Sequence, residues 1–153
     1  MSLLFVNATK VDADGVVERF WMRADGGRIT ATGSGDAPLT AGAEAIDVRG
    51  RTLTPGFIDL HGHGGGGASV DDGSESIATA LATHRAHGTT RSVLSLVAAP
   101  LAEVRSSLAI IADLAETDPL VLGSHAEGPF LAPTRRGAHA PEFLREPDGA
   151  TID

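Results

Sequence analysis

Phe57-Ile58-Asp59-Leu60-His61-Gly62-His63 and, further along, Leu120-Val121-Leu122-Gly123-Ser124-His125-Ala126-Glu127-Gly128-Pro129-Phe130 decide how this chain reads. Each is an apolar run that ends in metal-ligand side chains at a glycine turn. Parallel strands that deliver ligands to the carboxyl-terminal mouth of an α/β sheet or barrel produce this pattern.

The residues between these two stretches support that reading. Phe57 to His61 reads as a strand that enters a glycine loop over 62–67. Residues 74–87 carry helical spacing through Ile77, Leu81 and His84, with Ser74 as the expected N-cap and Gly88 as the stop. Arg91 to Ala98 is a mostly apolar strand, as expected where helices cover both faces of a sheet. Pro100 is suited to a helix start, and Leu101, Val104, Leu108, Ile111 and Leu114 recur at three- and four-residue steps. Pro119 ends that connection, and Leu120 to Ser124 forms the next strand. The order β-α-β-α-β is that of a parallel sheet with right-handed crossovers. A closed barrel of eight such units takes about 250 residues. Three strands and two helices are expected here, so the barrel is expected to be incomplete in this chain.

Before Pro55 the pattern is different. Leu3 to Val6 with Thr9 to Val11, Val16 to Met22, Arg28 to Thr32 and Ala45 to Val48 read as short strands, and Asp25-Gly26-Gly27 as a hairpin turn. The expected organisation is therefore an α/β chain. A small antiparallel β unit over 1–54 precedes the first β/α units of a TIM-like barrel over 55–153.

Composition narrows the function. The 153 residues are 42% hydrophobic and 21% charged, as in globular proteins. A net charge of −8 with no basic stripe argues against nucleic-acid binding, which needs Lys and Arg at the phosphates. The chain has no cysteine, so neither disulfides nor thiolate metal sites are available. The apolar runs fall short of the roughly 20 residues that cross a bilayer, and no signal peptide is evident. A soluble, cytoplasmic protein is expected.

The chemistry concentrates in the two quoted stretches. His61 and His63 are two apart on a strand end, a spacing that puts both imidazoles on one face and converges them on a cation. Asp59 is expected on that face too, orienting a histidine from behind. The competing reading is a polar turn that happens to hold two histidines. Glu127 is held by a Gly-Pro turn at the sheet's edge. A carboxylate joined to imidazoles suits zinc, with iron(II) as the alternative ion. An isolated glutamate here would otherwise be a solvated loop residue.

Taken together, Pro55-Gly56-Phe57-Ile58-Asp59, the hexapeptide His125 to Phe130 and Arg135-Arg136-Gly137-Ala138-His139 resemble the N-acetylglucosamine-6-phosphate deacetylases of the amidohydrolase superfamily. The resemblance implies that Glu127 binds the catalytic divalent metal and that Ala138 and His139 contact an amino-sugar phosphate. His61 and His63 match a pair that holds a second metal in some members and is replaced in others. It also implies that further histidine ligands and the catalytic aspartate come from later strands, so no catalytic residue is expected in this chain. Asp153 matches no motif. The implied activity of the complete enzyme, expected to be a homo-oligomer, is hydrolysis of the N-acetyl group to acetate and glucosamine 6-phosphate. The alternatives are an amidohydrolase acting on cyclic amides or N-acyl amino acids, and a non-catalytic fragment.

The remaining histidines read as structural. His125 is expected behind the site, His84 in packing, and His87 on the last carbonyls of its helix. Arg135 and Arg136 read as a solvated pair outside the site. The glycine run 64–67 lacks the Lys-Ser/Thr ending of a phosphate loop.

Overall fold

The computed structural model describes residues 1–38 and 41–152, which fall into two compact units, 1–55 and 56–153. Asp153 lies outside the described residues.

The first unit is one sheet. Its strands are β1 (Ser2–Asp12), β2 (Gly15–Asp25), β3 (Arg28–Ser34), β4 (Glu44–Asp47) and β5 (Thr52–Leu53). The order is β3-β2-β1-β4, with β5 also on β1. The expected antiparallel framework is the β1–β2–β3 meander, and β4 and β5 add to β1 in parallel. Gly26 and Gly27 (φ 56° and 77°) join Asp25 to Arg28 in a two-residue turn whose two left-handed residues match the right-handed twist of the strands. At the other hairpin Asp12 Oδ1 accepts the Asp14 N–H at 3.0 Å, a local side-chain bond that closes the turn. The ladder between β1 and β2 is interrupted around Ala8, where Asn7 and Arg19 adopt positive φ. Leu4, Ala8 and Phe20 form the small core of this unit.

The second unit carries the parallel sheet, in the order β10-β9-β6. Its elements are β6 (Phe57–Gly62), the hairpin strands β7 (Gly64–Gly65) and β8 (Ala68–Ser69), α1 (Ser74–Ala86), β9 (Thr89–Leu96), α2 (Leu101–Thr117), β10 (Val121–Ala126) and α3 (Gly149–Ile152). Short 3-10 turns occupy Val70–Asp72, Pro133–Arg135 and Pro141–Phe143. Both α1 and α2 pack on β9, and α2 also packs on β10. Their shared core is Val70, Ile77, Leu81, Leu94, Leu96, Ile111 and Val121, flanked by Val104, Leu108 and Leu114. The helical spacing read from the sequence is thus the spacing that meets the sheet.

Local details differ at the helix ends. Ser74 is the first residue of α1 and not its cap. Gly73 at φ 91° stands in the cap position, and its carbonyl accepts the Ile77 N–H. A glycine tolerates the turn out of the preceding 3-10 segment that a serine would resist. At α2 the Pro100 carbonyl accepts the Glu103 and Val104 amides. Asp118 closes α2 and leads into β10. Its carboxylate accepts the Leu120 N–H at 2.9 Å and Arg85 Nη2 of α1 at 2.6 Å.

The Leu120 amide bond holds the Asp118 carboxyl below its ordinary 3.8, against a smaller opposing push from burial, with Arg85 adding to the lowering. A lowered carboxyl contributes stability above its unfolded value, and that contribution disappears as pH falls through the folded value. Asp118→Ala is therefore expected to cost about 1 kcal/mol at neutral pH and almost nothing well below pH 3.8. Thermal melts of both proteins across that range check this; a gap that persists in acid would contradict it.

Two register shifts determine what faces the site. Residues paired across a ladder share a face. Asp59 pairs with Ser92 and Gly62 with Leu94, so β6 carries Leu60 and His61 where β9 carries Val93 alone. Asp59 consequently lies on the helix-packed face, where it lines a small cavity with Val70, Ala80, Leu81, His84 and Ser92. His61 and His63 flank Gly62 and fall on the opposite face. A second shift in β10 follows, where Val121 pairs with Ser92 but Gly123 with Val93. It buries Val121 under α2 and turns His125, the partner of Ser95, to the same side as the two histidines.

Candidate metal centre

Strand ends bring His61, His63 and Glu127 together. His63 Nε2 lies 2.8 Å from Glu127 Oε2, His61 Nε2 lies 3.4 Å from the same oxygen, and the two Nε2 atoms are 3.1 Å apart. Two ligands each about 2.0–2.1 Å from a tetrahedral zinc ion stand about 3.3 Å from one another. The three separations bracket that value, so the donor set is of the size such an ion takes. One ring proton satisfies only one of the three contacts, whereas a divalent cation satisfies all of them. Two imidazoles and a carboxylate are also the ligand types that zinc and iron(II) favour.

The supports of each ligand are visible. Asp59 does not touch either imidazole, contrary to expectation. Its Oδ1 accepts the His61 backbone N–H at 3.1 Å, fixing the main chain from the far face of the sheet. The His63 carbonyl accepts the Val70 N–H at 2.9 Å, which ties the strand end to the turn before α1. Gly64 (φ 157°) follows immediately, and a Cβ there would strike the Ala68 carbonyl, so the β7–β8 hairpin requires glycine. His84 Nε2 donates to the Gly64 carbonyl at 2.8 Å, and His87 Nδ1 donates to the Thr83 carbonyl at 2.8 Å. Both are structural, as read from the sequence. Glu127 continues the ladder through its N–H to the Leu96 carbonyl at 2.9 Å. Burial pushes the Glu127 carboxyl up. The His63 hydrogen bond and the fields of His61, His139 and His63, when those rings are protonated, outweigh it and hold the group below its ordinary value.

His139 completes the cluster from the loop after β10. Its side chain is 8% exposed, and its Nε2 stands 3.7 Å from Glu127 Oε1, the oxygen turned away from His61 and His63. The Ala98 N–H donates to His139 Nδ1 at 3.1 Å. Ala138 is exposed beside it. The loop passes close to the residues that follow β9 at Gly128 (φ 105°), where an added Cβ would lie 3.1 Å from that of Ala98.

Three supporting residues escaped the sequence reading. His125 Nδ1 lies 3.3 Å from Ser95 Oγ, and its ring centroid lies 5.0 Å from that of His61. Ser95 is fully buried, and a serine inside the apolar run Val93 to Val97 was the available signal. Arg136, read as a solvated residue, donates Nη1 to the His139 carbonyl at 2.7 Å. Arg135 is exposed. The Ala98 amide carries no side-chain signal at all.

No family model matches the chain. Among curated relatives, the N-acetylgalactosamine-6-phosphate deacetylase of Escherichia coli O157:H7 is 39% identical over 105 residues, covering 66% of this chain and 28% of the relative. The N-acetylglucosamine-6-phosphate deacetylase of Haemophilus influenzae is 34% identical over 113 residues, covering 72% and 30%. Among solved structures, the N-acetyl-D-glucosamine-6-phosphate deacetylase of Mycobacterium smegmatis superposes with a TM-score of 0.86 at 34% identity, over 98% of this chain and 42% of that one. The chain resembles the amino-terminal portion of an N-acetylglucosamine-6-phosphate deacetylase. The Pasteurella multocida deacetylase agrees, with a TM-score of 0.90 at 27% identity over 99% of this chain and 41% of that one. The chain thus spans under half the length of the deacetylases it matches. Among the described residues no helix is long and apolar enough to cross a membrane.

Proposed function

We propose that this chain supplies a divalent-metal site and one substrate contact of an enzyme that hydrolyses the N-acetyl group of N-acetylglucosamine 6-phosphate. The observation that carries the reading is the convergence of His61, His63 and Glu127, with His139 on the outer oxygen of Glu127. The three ligands would hold zinc, with iron(II) as the alternative. A divalent ion bound there lowers the pKa of a water and polarises a carbonyl oxygen.

Glu127 and the two histidines fix the donor geometry, and the backbones of His61, His63 and Glu127 are pinned by Asp59, Val70 and Leu96 respectively. His139 accepts at Nδ1, so its Nε2 carries the ring proton and presents a donor to a substrate oxygen. No side chain of this chain is assigned as the proton-shuttling base. The solved M. smegmatis deacetylase complex contains N-acetyl-D-glucosamine-6-phosphate, and 34% of its aligned residues are shared with this chain, which favours that substrate. The 39% identity to an N-acetylgalactosamine-6-phosphate deacetylase supports the epimer as a second reading.

A chimera tests the proposal. These residues replace the matching stretch of the H. influenzae deacetylase, and acetate release is measured from both epimers. The chimera is expected to hydrolyse N-acetylglucosamine 6-phosphate. His139→Ala in it is expected to lower kcat/KM by roughly 100-fold or more, the cost of one carbonyl-polarising donor. A folded, metal-loaded chimera that releases no acetate from either substrate would refute the proposal. Faster release from the galactose epimer would favour the second reading.

A further inference from the structure

β9 ends at Leu96, and the next two residues leave the ladder with their N–H groups still to be satisfied. Neither goes to another strand. The Val97 N–H donates to Asp71 Oδ1 at 3.3 Å, and the Ala98 N–H donates to His139 Nδ1 at 3.1 Å. The acceptors are a carboxylate on the 3-10 turn before α1 and the one site histidine that comes from the far loop. The same turn also reaches the other side of the site. Ser69 Oγ contacts the His63 carbonyl at 3.5 Å and Asp71 Oδ2 at 3.3 Å, and accepts the Asp71 N–H at 3.2 Å. Val70 donates to that His63 carbonyl from within the turn.

We infer that Asp71 is a positioning residue for His139, acting through the Val97–Ala98 peptide. Holding the Val97 amide fixes the direction of the next one. The Ala98 N–H, so aimed, can be accepted only by an imidazole nitrogen that carries a lone pair. His139 is thereby held as its Nε2–H tautomer, with that hydrogen on the side of Glu127 Oε1. Arg136 restrains the same residue from its other end by donating to its carbonyl. The ring is thus gripped at Nδ1 and at its backbone, and only Nε2 remains for a ligand. The consequence for a substrate rests on the proposed function: His139 acts as a fixed hydrogen-bond donor, and Asp71 touches neither substrate nor metal.

The test requires neither metal nor substrate, so its failure is separable from failure of the proposed function. Nitrogen NMR on the 153-residue chain reports the ring tautomers and the through-hydrogen-bond coupling between the Ala98 amide and His139 Nδ1. In the unsubstituted chain the coupling and a single Nε2–H form of His139 are expected. In Asp71→Ala the coupling is expected to vanish and the Ala98 amide to exchange roughly tenfold faster, the counterpart of losing about one net hydrogen bond. Asp71→Asn keeps an acceptor oxygen in place and is expected to retain both signals. His84 and His87 are internal references, because their bonds to Gly64 and Thr83 involve neither Val97 nor Ala98. Unchanged His139 signals in Asp71→Ala would overturn the inference. So would loss of the His84 and His87 patterns alongside them, which would make Asp71 a general structural residue. Equal effects of alanine and asparagine would overturn it as well.

Discussion

Glu127→Ala is expected to lower zinc affinity at least 100-fold. Glu127 Oε2 is the atom that faces both imidazoles, at 2.8 and 3.4 Å, so its removal takes away both the negative charge and the bridge. What remains is a pair of imidazoles, of which His61 is half exposed, its side chain being 51% accessible. Two neutral donors without a carboxylate bind a dication far more weakly than the full set. Glu127→Gln separates the two contributions, since it keeps an oxygen at nearly the same place and loses the charge. It is expected to fall between alanine and the unsubstituted chain. Titration calorimetry with zinc checks both variants. Circular dichroism confirms that the fold is retained, because Glu127 lies outside the apolar core. Equal affinities in all three proteins would place the cation elsewhere.

Ile77→Ala is expected to destabilise the second unit by about 2–5 kcal/mol, as for large-to-small changes at fully enclosed sites. Ile77 is 0% exposed and sits among Val70, Leu81, Leu94 and Leu96, between α1 and the sheet. Val70 donates its N–H to the His63 carbonyl, so loosening this cluster reaches the site through its backbone. The variant should therefore bind zinc less tightly at temperatures near its melting point and normally well below it. Denaturant unfolding followed by the fluorescence of Trp21 would be blind to the change if the units unfold independently, because Trp21 belongs to the first unit. Far-ultraviolet dichroism, dominated by α1 and α2, is the appropriate probe. A loss below about 1 kcal/mol would mean that the site collapses around the smaller side chain.

The parts of this fold written most plainly in the sequence are those governed by long periodic patterns. Val104, Leu108, Ile111 and Leu114 recur at the helical period and do face the sheet. Pro100 and Pro119 punctuate the elements because their rings restrict the backbone, and Gly88 because it tolerates a φ of 98° that other residues resist. The site was legible as a set of residue types and only partly as geometry. A strict two-residue alternation puts Asp59 beside His61 and His63, and the register shift in β6 sends it to the opposite face. A single extra residue in a strand inverts everything beyond it, and no side chain in Asp59 to Gly62 announces that insertion. The companion shift in β10, at Gly123 with φ 136°, is what delivers His125 to the site side. The approach of His139 depends on a loop held by backbone groups, the Ala98 amide and the His139 carbonyl. Such bonds leave no mark in a sequence. Arg136 reads as solvated because surface arginine pairs usually are, and its actual partner, a main-chain oxygen, leaves no side-chain signal.

The central claim is that His61, His63 and Glu127 share one cation. X-ray absorption at the zinc edge, on the 153-residue chain loaded with one equivalent of metal, tests it most directly. Two imidazole nitrogens at about 2.0–2.1 Å and a carboxylate oxygen at about 2.0–2.2 Å are expected, with one imidazole lost in His61→Ala and the other in His63→Ala. A first shell of oxygens alone, or a spectrum that neither histidine substitution alters, would contradict it.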